Sequence, residues 1–208
     1  MNNKQPQSSV QASAKDGNKR RTNKTILDIV YIGLFTALIA VCSQICIPTP
    51  PGIPPVTMQT FAMFLAGGLL GWKRGTLSVV IYLLIGLIGI PVFSQFKSGL
   101  GALLGMTGGY LIGFVFTAFI IGIMTEKLGK KLWVLLVSMT AGLLVCYVFG
   151  TVWFMVVYSQ TKGTIGLWSA LSLCVFPFLL FDAGKIAVAA ILVNRLSKLV
   201  PFSERKAS

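Results

Sequence analysis

Apolar residues run along this chain in long blocks, without the strict alternation that marks a half-buried strand. Six blocks stand out, at about 27–47, 56–72, 75–92, 107–125, 132–158 and 167–195. Each is near or above the roughly 17 residues needed to cross the hydrocarbon core of a bilayer. The pattern predicts an all-α integral membrane protein with six transmembrane helices. Thr57, Gln59 and Thr60 dilute the second block, and the fifth is long enough to need tilt or a kink. Thr25 and Asp28 stand at capping-box spacing just before the first helix and signal its start.

The polar stretches divide the rest. Residues 1–25 carry Lys4, Lys15, Lys19, Arg20, Arg21 and Lys24 with too little apolar content to bury anything, which predicts a disordered basic tail. The membrane domain then covers 26–198, and 199–208 form a second short tail. A basic tail before an apolar run can mimic a signal peptide, but no Ala-x-Ala pattern ends the first block. Two connections are unusual. Pro48 to Pro55 holds five prolines in eight positions, which predicts a stiff extended loop able to frame a mouth. Ile90 to Tyr110 is apolar yet full of glycine, as expected of a semi-buried or re-entrant loop able to act as a lid.

Charge placement gives the orientation. With the N-terminus inside, the inner segments hold the six basic residues of the tail, Lys73 and Arg74, Lys127, Lys130 and Lys131, and Arg195, Lys198, Arg205 and Lys206. Only Lys97 and Lys162 fall outside. This bias predicts a multi-pass plasma-membrane protein with both termini cytoplasmic. The formal net charge of +13 is then accounted for by topology and anionic lipid, and nucleic acid is not needed as a partner.

The chain has no histidine, which removes Ser-His and Cys-His nucleophiles, His-bearing zinc sites and His proton relays. It has five acids, of which four sit in tails or at helix ends, which leaves Asp182 in the interior of a predicted span. Lys185 follows at i+3, so opposite charges share one helical face. Each ion costs on the order of 3 kcal/mol at the bilayer centre, so the pair must face protein or a water-filled cavity. It either fixes helix packing or serves a ligand. If the last helix starts near Pro177 and runs inward, the pair lies in the outer half of the membrane, which fits uptake.

Other patterns are less specific. Gly105, Gly109 and Gly113 recur every four residues and read as a helix-packing face. Gly33 and Ala37 form a similar pair on the first helix, for packing or for docking a partner subunit. Cys42 and Cys46 share a helical face but have no further thiol nearby to complete a metal site, and with Cys146 and Cys174 they read as packing residues. Gln59, Gln95, Tyr110, Tyr147, Trp153 and Tyr158 are candidates to line a cavity, though aromatic residues also gather at membrane interfaces. No GxxxxGK[ST] occurs, so the chain does not hydrolyse ATP through a P-loop. Binding and transport remain, with no cofactor and no metal implied.

Three segments then carry a resemblance. PVTMQTFAMFLAGGLLGWKRGTLSVVIYLLIGLIGIPVF (55–93), GLGALLGMTGGYLIGF (99–114) and FPFLLFDAGKIAVAAIL (176–192) together resemble the BioY family of biotin transporters. Those proteins are the substrate-binding S components of energy-coupling factor (ECF) transporters. The resemblance covers roughly residues 27–197 and implies a six-helix S-component fold. It also implies high-affinity capture of biotin from outside and delivery through a membrane-embedded coupling subunit with two cytosolic ATPases, in keeping with the missing P-loop. It assigns Gly33 and Ala37 to the face that meets the coupling subunit, although Val41, next on that face, is larger than alanine.

The biotin assignment suits Asp182 and Lys185. A ureido ring has two N–H donors and a carbonyl acceptor, which a carboxylate and an ammonium can satisfy together. Asp182 is expected on the ureido group, and Lys185 on either the ureido carbonyl or the valerate carboxylate. Phe93, Tyr110 and Trp153 are candidate apolar walls. Thr57, Gln59 and the backbone around Gly99 and Gly108 are candidate hydrogen-bonding groups. The alternatives are a self-sufficient, proton-coupled secondary vitamin transporter using Asp182, and a non-transporting membrane enzyme or scaffold.

Overall fold

The structure is a computed structural model in which residues 6–47, 49 and 54–198 are described, with side chains from residue 24 onward except that of Lys162. It is helical apart from one two-stranded ribbon. In chain order the helices are α1 (Pro6–Gln44), α2 (Gln59–Leu87), α3 (Gly99–Leu104), α4 (Gly108–Leu128), α5 (Leu132–Lys162), α6 (Leu167–Cys174) and α7 (Phe176–Leu196). Strands β1 (Cys46–Ile47) and β2 (Val56–Thr57) pair antiparallel, Cys46 opposite Thr57 and Ile47 opposite Val56. This ribbon closes the base of the proline-rich loop, of which residues 48 and 50–53 lie outside the described residues.

Among the described residues, five helices are long and apolar enough to cross a membrane: α1 from Lys24, α2, α4, α5 and α7. The expected blocks 56–72 and 75–92 are thus one element. Its interior is broken at Gly71, whose backbone (φ 79, ψ −176) is far from helical. Gln59 Nε2 nevertheless donates to the Tyr82 hydroxyl at 2.8 Å, whereas a straight helix would separate these residues by about 35 Å. The chain therefore reverses at Gly71, and residues 59–70 and 72–87 lie antiparallel. Gly75 packs so closely on the first arm that a Cβ would sit 2.7 Å from the Ala66 carbonyl. The sequence showed the two apolar arms. The turn is tighter than expected because one glycine makes it.

Other expectations shift in the same way. Helical backbone begins at Pro6, within the stretch read as a disordered tail, so Thr25 does not cap a helix start. Good helix formers such as Ala12, Ala14, Lys15 and Lys19 extend a helix once the apolar span has nucleated it. Asp28 instead pairs with Arg74 through two contacts, Nε–Oδ1 at 2.8 Å and Nη2–Oδ2 at 3.0 Å. The block 167–195 is divided at Val175 (φ −125, ψ −54) into α6 and α7, with Pro177 in the first turn of α7. Cys46 lies in β1, off the α1 face that carries Cys42.

Helix α4 packs between α2 and α5, and α7 closes against both α2 and α5. Small residues allow the closest approaches. A Cβ on Gly113 would lie 3.2 Å from Cys146 Sγ, and one on Gly109 would collide with Trp153, so these two members of the glycine ladder join α4 to α5 as expected. Gly105 departs from the ladder: it precedes α4, and its carbonyl accepts a hydrogen bond from Trp153 Nε1 at 3.0 Å.

At the Gly71 end of the molecule, polar groups tie the helices together. Glu126 Oε1 accepts the Trp72 backbone N–H (3.2 Å), Lys130 Nζ donates to the Leu69 carbonyl (3.1 Å), and Asn194 Nδ2 donates to the Lys130 carbonyl (2.9 Å). Helix ends leave such backbone groups without intrahelical partners, and these side chains supply them. Burial holds the Lys130 ammonium below the ordinary lysine range, an effect the Glu126 carboxylate opposes.

Candidate substrate-binding site

The opposite end of the bundle holds a cavity with an empty volume of about 800 Å³, part of it open to solvent. The start of α2, the loop after it, and helices α4, α5 and α7 all contribute walls, as do Pro54 and Pro55 from the proline-rich loop.

Its polar floor is built on α7. Asp182 lies six residues into that helix, and it and Lys185 are buried at 2% and 8% exposure. Their i,i+3 spacing brings Lys185 Nζ to 2.8 Å from Asp182 Oδ1. Lys185 also donates to the Thr57 carbonyl at 2.6 Å and to Thr60 Oγ1 at 3.2 Å. An ammonium has three protons, and these three acceptors match them. The arrangement draws on both elements: β2 ends at Thr57, before α2 begins, so its carbonyl is free of helical bonding.

Asp182 is equally engaged. Oδ1 accepts from Thr60 Oγ1 at 3.0 Å as well as from Lys185, and Oδ2 accepts from the Tyr147 hydroxyl at 2.5 Å. A carboxylate has about four acceptor positions. Three are filled by these bonds, which leaves one on Oδ2. Above this floor the walls become apolar and aromatic, with Phe93, Leu111, Phe114, Leu143 and Phe178 facing the cavity. Phe93 is held edge-on against Tyr82, ring centroids 5.5 Å apart. Its ring fills the space over Gly86, where any Cβ would strike it.

Six of the residues expected at a binding site meet here: Thr57, Gln59, Phe93, Tyr110, Asp182 and Lys185. Three do not form the cavity wall. Trp153 faces α4 and the Gly105 carbonyl, so its role is to clasp the segment before α4. Gly108 packs on the backbone of Leu103, and Gly99 takes φ 78 at the start of α3. Both shape the segment that carries Ala102 and Thr107 to the cavity. Gly33 and Ala37 are exposed on α1, and a Cβ added at Gly33 would meet nothing within 4 Å.

The sequence did not single out Thr60, Ser94 or Lys97, yet all three line the cavity. Thr60 was legible only as a polar dilution of an apolar block. Lys97 counted toward charge topology, and nothing in its local sequence directs it inward. Tyr147 was one aromatic among several, and Cys146 and Cys174, read as packing residues, also reach the wall.

Comparison with known proteins agrees with this architecture. The chain matches the family model described as "BioY family" over residues 13–202. It is 43% identical over 171 residues to "Biotin transporter BioY" of Thermotoga maritima, covering 82% of this chain and 96% of that protein. It is 31% identical over 182 residues to "Biotin transporter BioY" of Rhodobacter capsulatus, covering 84% and 95%. Among solved structures it resembles the S-component for biotin from an ECF-type ABC transporter, with a TM-score of 0.74 and 31% identity over 85% of this chain and 93% of that one. With most of the chain matched in sequence and in fold, this protein belongs to the BioY family.

Proposed function

We propose that this chain is the biotin-binding S component of an ECF-type ABC importer. It captures biotin from outside and releases it inward only with a membrane-embedded coupling subunit and two ATPases. The observation that carries this reading is the Asp182 floor, where a buried, ionically held carboxylate keeps one acceptor position for a ligand N–H. A ureido N–H suits that position. The ureido carbonyl would reach Lys185 by replacing Thr60 Oγ1, at 3.2 Å the longest of its three contacts. The apolar walls suit the bicycle and alkyl chain. Lys97 is the second cation on the cavity wall and takes the valerate carboxylate.

The charge pattern supports the sidedness. Arg74 and Lys130 belong to the polar network at the Gly71 end, whereas Lys97 lies at the cavity. Under the positive-inside rule this distribution supports a cavity that faces outward and termini in the cytoplasm. Counting the two arms of α2 separately gives six crossings, in keeping with that arrangement. Gly33 and Ala37 leave α1 with a small-residue face for the coupling subunit.

Uptake of labelled biotin into proteoliposomes tests the reading. Accumulation is expected only when the coupling subunit, both ATPases and internal ATP are present. Accumulation by the chain alone that a protonophore abolishes would overturn it in favour of proton-coupled transport.

A further inference from the structure

Gln44 is the last residue of α1, and its side-chain amide reaches the rim of the cavity. Nε2 donates to the Phe93 carbonyl at 3.0 Å, and Oε1 accepts the Phe96 backbone N–H at 3.1 Å. One side chain thereby brackets residues 93–96 at both ends. Between these bonds the backbone is unfavourable: Gln95 (φ 61) and Phe96 (φ 57) both occupy the left-handed region, where L-residues with a Cβ are disfavoured. Packing does not hold them there, because both are exposed. The residues on either side of them, Ser94 and Lys97, line the cavity. Ser94 Oγ is buried without a hydrogen-bond partner among the described residues.

The start of this segment is fixed independently. The Val92 carbonyl accepts from Ser43 Oγ and from the Tyr82 hydroxyl, and the Phe93 ring is packed on Tyr82. The far end is tied back to it, since the Phe93 N–H donates to the Lys97 carbonyl at 3.0 Å and the Lys97 N–H to the Ser94 carbonyl at 3.4 Å. Loss of the Gln44 amide therefore loosens the turn between these bonds, residues 94–96, and with it the angle at which Ser94 and Lys97 face the cavity, while leaving Phe93 seated.

We infer that Gln44 is a positioning residue for ligand specificity. It holds residues 94–97 in the left-handed turn that presents Ser94 Oγ and the Lys97 ammonium to the anionic end of the ligand. The inference rests on the reading above, in which that end is the carboxylate of biotin. Holding the turn before the ligand arrives removes an ordering cost from binding.

The test is calorimetric titration of the full chain in detergent with biotin and with its alcohol analogue, in which CH₂OH replaces the carboxylate. Gln44→Met keeps the length of the side chain and removes both hydrogen bonds. It is expected to weaken biotin about tenfold or more and the alcohol by less than about threefold, and Gln44→Met/Gln95→Gly to recover at least about threefold of the biotin loss, since glycine adopts positive φ readily. Equal losses for both ligands, or no loss for either, would overturn the role of Gln44. Failure of the unmutated chain to bind biotin would instead overturn the reading beneath it.

Discussion

Removing Lys185 alone should harm this protein more than removing Lys185 and Asp182 together. At 2.8 Å and an effective dielectric of about 20, their Coulomb attraction is about 6 kcal/mol before desolvation is charged against it. Both groups are buried, so desolvation cancels much of that gain, but it cannot be recovered by deleting one partner. Lys185→Met leaves an Asp182 carboxylate supported only by Thr60 and Tyr147, and breaking a buried pair in this way costs about 3–5 kcal/mol. At roughly 2–4 °C per kcal/mol for a chain of this size, the unfolding midpoint should fall by roughly 6–20 °C. Asp182→Asn strands the ammonium and should fall by a similar amount. The double variant Asp182→Asn/Lys185→Met strands no charge and should recover at least half of either loss. Tryptophan fluorescence during heating of the detergent-solubilised chain reads all four proteins. Single losses below about 2 °C, or a double variant whose loss equals the sum of the singles, would refute the buried-pair argument.

Three further outcomes follow from other parts of the structure. Gly71→Ala places a side chain at φ 79, ψ −176 and against Glu126 Oε1; it should destabilise the fold by about 2 kcal/mol or more, seen as loss of the monodisperse peak in size-exclusion chromatography. Tyr147→Phe removes a hydroxyl donor 2.5 Å from Asp182 Oδ2 and should lower unfolding free energy by about 1.5–3 kcal/mol in a denaturant titration. Because burial lowers the Lys130 pKa in the folded chain, the unfolded chain binds more protons there. Stability should therefore rise with pH from that lowered value up to the ordinary lysine pKa of about 10.4, and Lys130→Met should flatten that slope in midpoint measurements across the alkaline range.

The parts of this protein that follow from local rules were legible in its sequence. Long apolar blocks require helices in lipid because no solvent is present to satisfy the backbone, and the membrane-length parts of α1, α2, α4, α5 and α7 overlap those blocks. Asp182 and Lys185 were legible for the same reason: an ion pair inside an apolar block has few roles, and i,i+3 spacing alone brings it together. Pro177 marked the start of α7 through the fixed geometry of proline.

What escaped were features set by tertiary contacts. Thr60 reaches Asp182 across 122 residues of chain, and no local pattern encodes that meeting. Lys97 and Ser94 are aimed by a left-handed turn on non-glycine residues, a conformation local preference argues against. Trp153 was placed on the cavity wall by its chemistry, but its indole N–H found the Gly105 carbonyl and turned it into a clasp. The reversal between the blocks 56–72 and 75–92 was legible, but its exact place at Gly71 was hidden because Trp72, Lys73 and Arg74 continue as helix immediately after it.

The central claim is that Asp182 holds an N–H of biotin at the floor of the cavity. Titration of biotin into the purified chain, beside a folded Asp182→Asn, tests it most directly. The account predicts one-to-one binding to the unmutated chain and a loss of about 1.5–3 kcal/mol in the variant, the scale of a hydrogen bond to a charged group. Equal affinity for biotin in both proteins would contradict it.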